Sequence, residues 1–274
     1  MTLKKVLTVA GSDSGAGAGI QADLKTFAAM GVYGLSALTA ITAQNTVGVT
    51  GVHAIPPEFV AKQISALFED IEIAAVKTGM LANAGIIEAV CEQFIRSNAE
   101  NIVVDPVIIA TSGDLLMDDR VENFLWALRN RLIPLAHIVT PNIPEAEILT
   151  GREITGLEDM KAAAIDLQSL GARNVVIKGG HLENGDTVVD LLFDGSGFYE
   201  YTGKRVSTRN THGTGCTFAA AVAAGLALGR NIREAVRDAK NYVSYALEHS
   251  YSVGLGGGPP NHFAGFGRLG DDGV

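Results

Sequence analysis

The feature that most constrains this chain is a repeated alternation between short, uninterrupted apolar runs and longer amphipathic segments. Val6–Ala10, Gly34–Thr42, Ala75–Thr78, Asn101–Asp105, Ile138–Thr140 and Val175–Lys178 are too continuously apolar to be half-exposed strands. Strands buried on both faces read this way, and they belong to a mainly parallel sheet with helices on each side. Helices are expected at Ala22–Met30, Pro57–Glu69, Ala84–Arg96, Asp118–Arg131, Ile143–Thr150, Leu157–Leu170, Cys216–Leu228 and Ile232–Glu248. Gly31, Gly171 and Gly229 stand at helix ends, and Pro57 suits a first turn. Val188–Phe193 and Gly197–Tyr201, joined through Asp194-Gly195, read as a hairpin adding antiparallel strands at one edge. No linker or internal repeat divides the chain, so a single α/β domain is expected over 1–265, with 266–274 a flexible tail.

Composition narrows the partners. Thirty acidic residues against 21 basic ones give a net charge of −9, which excludes a broad basic face for nucleic acid. A small anionic ligand must then be held by local amides, a metal or a few lysines. The two cysteines, Cys91 and Cys216, have no metal-like spacing and argue against a disulfide framework, which suits a reducing, cytoplasmic location. No stretch approaches the ~20 apolar residues of a membrane span, and the N-terminal run reads as a first strand, not a signal peptide.

In open α/β sheets ligands gather beyond the carboxyl ends of the strands, and the suggestive polar clusters fall there. His212-Gly-Thr-Gly-Cys216 opens a small-residue helix, so Gly213, Thr214 and Gly215 place free amides where an anion binds. A cysteine at that helix start is expected to have a lowered pKa; the alternative is that Gly and Ala merely let a helix pack closely. Gly11-Ser-Asp-Ser-Gly-Ala-Gly-Ala-Gly19 is too long and polar for a dinucleotide fingerprint, and equally suits a small substrate lying against backbone. Gln44, after the second strand, offers a donor beside an acceptor, which can read a heterocycle bearing an amino group next to a ring nitrogen. Asp105, fixed by Pro106, is a carboxylate able to hold Mg²⁺ near nucleotide phosphates. Lys178 closes an apolar strand before two glycines and reads as a charge aimed at a ligand. Asn142 and Glu145 stand where Pro141 and Pro144 also suit a plain strand exit and helix start. Lys240 could reach the same phosphates or face solvent. Phosphoryl transfer accounts for this ensemble, although no Walker motif and no protein-kinase motif is present.

The ordered segments Ala10-Gly-Ser-Asp-Ser14, Gly19-Ile-Gln-Ala-Asp-Leu-Lys25, Ala43-Gln-Asn-Thr46, Lys77-Thr-Gly-Met-Leu81, Asp105-Pro-Val107, Thr140-Pro-Asn142, Lys178-Gly-Gly-His181, Asn210-Thr-His-Gly-Thr-Gly-Cys-Thr217, Gly258-Pro259 and His262-Phe263 span nearly the whole chain. Together they resemble the ribokinase-like superfamily, and within it the bacterial hydroxymethylpyrimidine and phosphomethylpyrimidine kinases of thiamine biosynthesis. That resemblance implies a three-layer α/β/α sandwich, ATP and Mg²⁺ as cofactors, an aminopyrimidine alcohol and its monophosphate as small-molecule substrates, and a homodimer. It implies Cys216 as the catalytic residue, with Gly213, Thr214 and Gly215 completing an anion hole. Gln44, Gly11, Asp23, Met80 and Val107 would form the pyrimidine pocket, Lys178, Asn142 and Lys240 the ATP side, and Asp105 and Glu145 the metal side. Two departures stand out: Ser14-Gly-Ala-Gly-Ala-Gly19 replaces the family's usual Ser-Ser-Gly-Gly-Ala-Gly, and the run from Gly254 lacks its usual histidines. A pyridoxal kinase of the same fold, or a non-catalytic pyrimidine sensor, are the other readings.

Overall fold

The structure is a computed structural model that describes residues 3–108, 121–180 and 185–265. Its strands are β1 (Lys5–Asp13), β2 (Tyr33–Gln44), β3 (Val49–Ala54), β4 (Ala75–Thr78), β5 (Ile102–Val104), β6 (Ile138–Val139), β7 (Asn174–Ile177), β8 (Thr187–Phe193) and β9 (Phe198–Lys204). They form one sheet in the order β3-β2-β1-β4-β5-β6-β7-β8-β9. From β2 to β7 all neighbours are parallel, while β3 and the β8–β9 hairpin are antiparallel additions at the two edges.

The continuous apolar runs have the expected cause. Successive residues of a strand point to opposite faces, and here both faces are covered. Val76, Val104, Val139 and Val175 face one core with Ile64, Ile86 and Phe94, whereas Ala75, Val103, Ile138 and Val176 face another with Phe27, Phe218 and Val236. The first core lies under α2 (Pro57–Asp70), α3 (Ala84–Arg96), α4 (Val121–Ala127), α5 (Ile143–Thr150) and α6 (Leu157–Ser169). The second lies under α1 (Gly19–Ala29), α7 (Thr214–Ala227) and α8 (Ile232–Glu248). Helix α7 is buried on all sides from Thr217 to Ala227, which its Ala and Gly content allows.

Several expectations are corrected. Strand β3 escapes sequence reading because it is exposed along most of its length and carries Gly51, so it lacks a buried apolar run. It follows the Asn45–Gly48 turn, where the Asn45 side chain accepts the Val47 amide at 2.8 Å. Helices α1 and α7 begin earlier than expected, at Gly19 and Thr214, so the glycines themselves form the first turns. The helix expected over 118–131 is α-helical from Val121 to Ala127 and widens into a π turn at Leu128–Leu132; residues 118–120 lie outside the described residues. The glycine run from Gly254 is non-helical as expected, but a 3-10 turn follows at His262–Gly265. His181, the loop around Ser112-Gly-Asp114 and the tail 266–274 also lie outside the described residues.

Candidate active site

The carboxyl ends of β1, β2, β4, β5 and β7 open onto one cavity of about 650 Å³. Two helix starts converge on its floor. Gly213 has φ +80, and a Cβ there would collide with the Gly17 carbonyl, so only glycine lets the α7 loop press against the first glycine loop. Gly19 has φ +58 with the same restriction against the Gly11 carbonyl, and its amide favours the thiolate of Cys216. The starts of α1 and α7 thus bring the positive ends of two dipoles to one point, although the Thr214 amide is already taken by the Thr211 carbonyl at 3.2 Å.

Gly11, Gln44, Met80 and Val107 line one end of the cavity, and Gly213, Thr214, Gly215 and Cys216 its middle. Asn142, Glu145, Lys178, Asp105 and Lys240 line the other part. Of the residues expected at the site, Asp23 alone is misplaced. It lies below the wall, fully buried, where both its oxygens take the Lys77 ammonium at 3.0 and 2.9 Å and one takes the Thr8 hydroxyl at 2.6 Å. The reason is topological: Thr8 and Lys77 are paired across β1 and β4 on the face that α1 covers, and Asp23 points from α1 into that face. Burial favours a neutral amine, but Asp23 holds Lys77 charged and above its ordinary value.

A second correction concerns Cys216. Burial pushes its thiol up to about 11, and Asp23 and Asp105 push the same way, whereas the Lys77 ammonium favours the thiolate. The lowering expected at a helix start is outweighed by desolvation, so the thiol is protonated at neutral pH.

Lys178 donates to Asp105 Oδ1 at 3.0 Å, and Thr140 lies 3.3 Å from the same oxygen. Gly215 packs directly on this pair, since a Cβ there would sit 3.1 Å from the lysine nitrogen. Although burial disfavours its charge, Lys178 is held above its ordinary value by Asp105 and Glu145. Asn142 and Glu145 form a reciprocal cap on α5, each side chain accepting the other's amide at 2.9 Å, which realises the structural account of that segment. Burial also pushes Glu145 up to about 7. Lys240 reaches the cavity wall already paired with Asp190 at 2.8 Å, and Asp190 accepts the Gly179 amide at 3.0 Å.

Among the described residues no group of three or more His, Cys, Asp or Glu is arranged to hold a metal. Asp105 and Glu145, which both act on Lys178, are two carboxylates of this cavity. That set fits an ion that takes most of its ligands from phosphate and water.

Sequence reading gave no role to Asp13, His212, Lys77 or His262, although all four stand in quoted motifs. Asp13 accepts the amides of Gly15, Gly17 and Ala18 at 2.8, 3.0 and 2.9 Å, and His212 Nε2 lies 2.9 Å from it. Burial opposes its charge, but His212 and these amides hold its carboxyl below the ordinary value. An aspartate inside a glycine loop was the available signal.

His262 lies 3.0 Å from the Thr217 hydroxyl, which donates to the Gly213 carbonyl at 2.8 Å. The imidazole therefore donates to Thr217 and braces the loop from behind. Burial lowers its pKa from 6.5 to about 4. Between these values the unfolded chain binds the extra proton, so stability falls as pH drops through that window, by on the order of 3 kcal/mol. Urea melts at pH 7 and pH 4 should show wild type losing about that much more than His262→Gln; equal losses would remove His262 from this role.

Residues 13–261 match the phosphomethylpyrimidine kinase family model. The chain belongs to the phosphomethylpyrimidine kinase family. Within it, the chain is 50% identical to the hydroxymethylpyrimidine/phosphomethylpyrimidine kinase of Bacillus subtilis, over 96% of each chain. It is 53% identical over 94% of its length to a thiamine biosynthesis bifunctional protein of Geobacter sulfurreducens, but spans only 52% of that protein. Among solved structures, a Staphylococcus aureus pyridoxal kinase in complex with AMP-PCP and pyridoxal superposes with a TM-score of 0.87 at 40% identity, over 98% of this chain and 96% of that one.

Proposed function

We propose that this chain transfers the γ-phosphoryl of ATP to the hydroxymethyl of 4-amino-5-hydroxymethyl-2-methylpyrimidine, and then phosphorylates the monophosphate to the diphosphate. The observation that carries this reading is the continuity of the cavity. A donor–acceptor amide, Gln44, stands at one end, a buried lysine–carboxylate cluster at the other, and the glycine loop with Cys216 lies between. The relatives named for this activity support it over nearly the whole chain.

The base of ATP would lie on the apolar wall of Val188, Val243 and Leu247, with its phosphates running past Asn142 and Lys178 to the loop. Asp105 and Glu145 would hold Mg²⁺, which would supply positive charge against the phosphates. Lys178 and the amides of Gly213, Gly215 and Cys216 balance the charge on the transferred group, the Thr214 amide being taken by the Thr211 carbonyl. The substrate hydroxyl oxygen bonds to the γ-phosphorus as the bond to the bridging β,γ oxygen breaks and ADP leaves. Cys216, a thiol near neutral pH, orients that hydroxyl, and the hydroxyl proton passes to an oxygen of the transferred group. The protein would act as a cytoplasmic homodimer.

Purified protein with ATP, Mg²⁺ and the hydroxymethylpyrimidine should yield mono- and diphosphate by mass spectrometry; binding without product would instead indicate a sensor. Pyridoxal belongs beside it as a second acceptor, because the S. aureus pyridoxal kinase shares the fold and 40% of its residues. Gln44→Met should raise KM for the pyrimidine by about 10-fold or more while pyridoxal changes little, since only the aminopyrimidine edge uses both amide groups. Equal losses for both acceptors would refute the assignment of Gln44.

A further inference from the structure

We propose that Asp13 and His212 lock the amide of Gln44 in one polarity, and that this polarity turns the substrate's hydroxymethyl toward the loop at Gly213–Cys216. The proposal rests on the aminopyrimidine reading above. It follows from two contacts, one on each side of the amide.

On the first side, His212 Nε2 lies 2.9 Å from Asp13 Oδ2 and 3.2 Å from the outer amide atom of Gln44. An aspartate caged by three backbone amides is an acceptor only, so Nε2 must carry a proton. A protonated Nε2 has no lone pair for the Gln44 NH₂, so of the two amide atoms only the oxygen suits this 3.2 Å approach, sharing the Nε2 proton with Asp13. On the second side, the Thr42 hydroxyl lies 3.0 Å from the Ser12 carbonyl and 3.1 Å from the inner amide atom of Gln44. With the amide oxygen turned to His212, the single hydroxyl proton goes to the shorter contact, the carbonyl, and the hydroxyl lone pair accepts from the Gln44 NH₂. The first side selects, and the second accommodates, one orientation: amide oxygen toward His212 and NH₂ toward Thr42, the reverse of the amide as placed, in which Gln44 Nε2 faces His212 and Oε1 faces Thr42. The His212 ring cannot shift away to relax this choice, because it is packed against the backbone at Gly17, where even a Cβ would collide with it.

The consequence for a ligand is directional. In the proposed acceptor the 4-amino group sits between ring nitrogen N3 and the 5-hydroxymethyl. A Gln44 NH₂ on the Thr42 side takes N3, and a Gln44 oxygen on the His212 side takes the amino group. The hydroxymethyl then lies beyond the amino group, on the side where His212 runs directly into Gly213. The reverse polarity would send it the other way. His212 and Asp13 are thus positioning residues that act through Gln44.

The 4-oxo analogue of the acceptor tests this, because it exchanges the edge, offering a carbonyl where the amine was and an N3–H where the lone pair was. Wild type should prefer the amino compound in kcat/KM by about 100-fold or more. His212→Met fills the same space without a donor, frees the amide to rotate, and should bring that ratio to within about 10-fold. His212→Gln keeps an N–H facing Asp13 and should restore the preference, and KM for ATP should stay within about 2-fold in both. An unchanged preference in His212→Met would overturn the proposal. Should that variant fail to fold, ¹⁵N–¹H spectra of histidine-labelled wild type decide: a proton on His212 Nε2 is expected, and one on Nδ1 alone would overturn it. If wild type phosphorylates neither compound, the functional reading fails instead, and the histidine spectra still test the hydrogen-bond network by themselves.

Discussion

Cys216→Ala should lower kcat by about 10²–10⁴-fold while leaving KM for both substrates within a few-fold, the range expected when a group that handles the reacting hydroxyl is removed. The anion site itself survives this change, because the amides of residues 213–216 are backbone and Gly213 keeps its left-handed conformation against Gly17. Near-normal turnover would remove Cys216 from the chemistry. The pH dependence separates its two possible roles. A thiol pushed up to about 11 does not ionise between pH 6 and 9, so kcat should show no inflection there that Cys216→Ser abolishes. Glu145, pushed up to about 7 with no ion beside it, does ionise in that range, and at subsaturating Mg²⁺ the rate should rise with pH as its carboxylate forms beside Asp105. Glu145→Gln should flatten that rise; if Cys216→Ser flattens it instead, the cysteine is a general base.

Lys77→Met should be the most destabilising single change at the site, by roughly 3–5 kcal/mol. Lys77 and Asp23 are both 0% exposed, and among the described residues the ammonium is the only charged partner of that carboxylate. Removing it leaves Asp23 with the Thr8 hydroxyl alone. Domains are stable by only about 5–15 kcal/mol, so thermal unfolding should fall by roughly 10 °C. The double variant Lys77→Met/Asp23→Asn should recover part of this loss, because it removes the stranded charge as well. Additive losses in urea melts would show that the two residues do not act as a pair.

That buried pair also marks the limit of what could be read in the chain beforehand. The sheet was legible because β4, β5, β6 and β7 are buried on both faces, which leaves an unbroken apolar signature. Strand β3 left none, being held by backbone pairing to β2 with its side chains in solvent. At the site, Gln44, Asp105 and Lys178 were legible as polar residues closing apolar strands. Asp23 was not, since an aspartate in a helix looks the same whether it faces a ligand or a lysine 54 residues away. The thiol of Cys216 was misjudged because a helix start is a local feature, whereas desolvation depends on everything packed around it. Asp13 and His212 are 199 positions apart, and only the fold makes them neighbours.

The bracing of the phosphate loop has a consequence for synthesis. All nine strands of the described residues have been synthesised once Lys204 is made. The loop, however, is completed by the Gly258 carbonyl, which takes the His212 amide at 3.1 Å, by Asn210, which takes the Gly258 amide at 3.0 Å, and by His262 behind Thr217. At roughly 5–20 residues per second these braces emerge several seconds after the sheet. A nascent chain therefore passes through an interval with its strands and helices made and its catalytic loop unsupported, and competence arrives last.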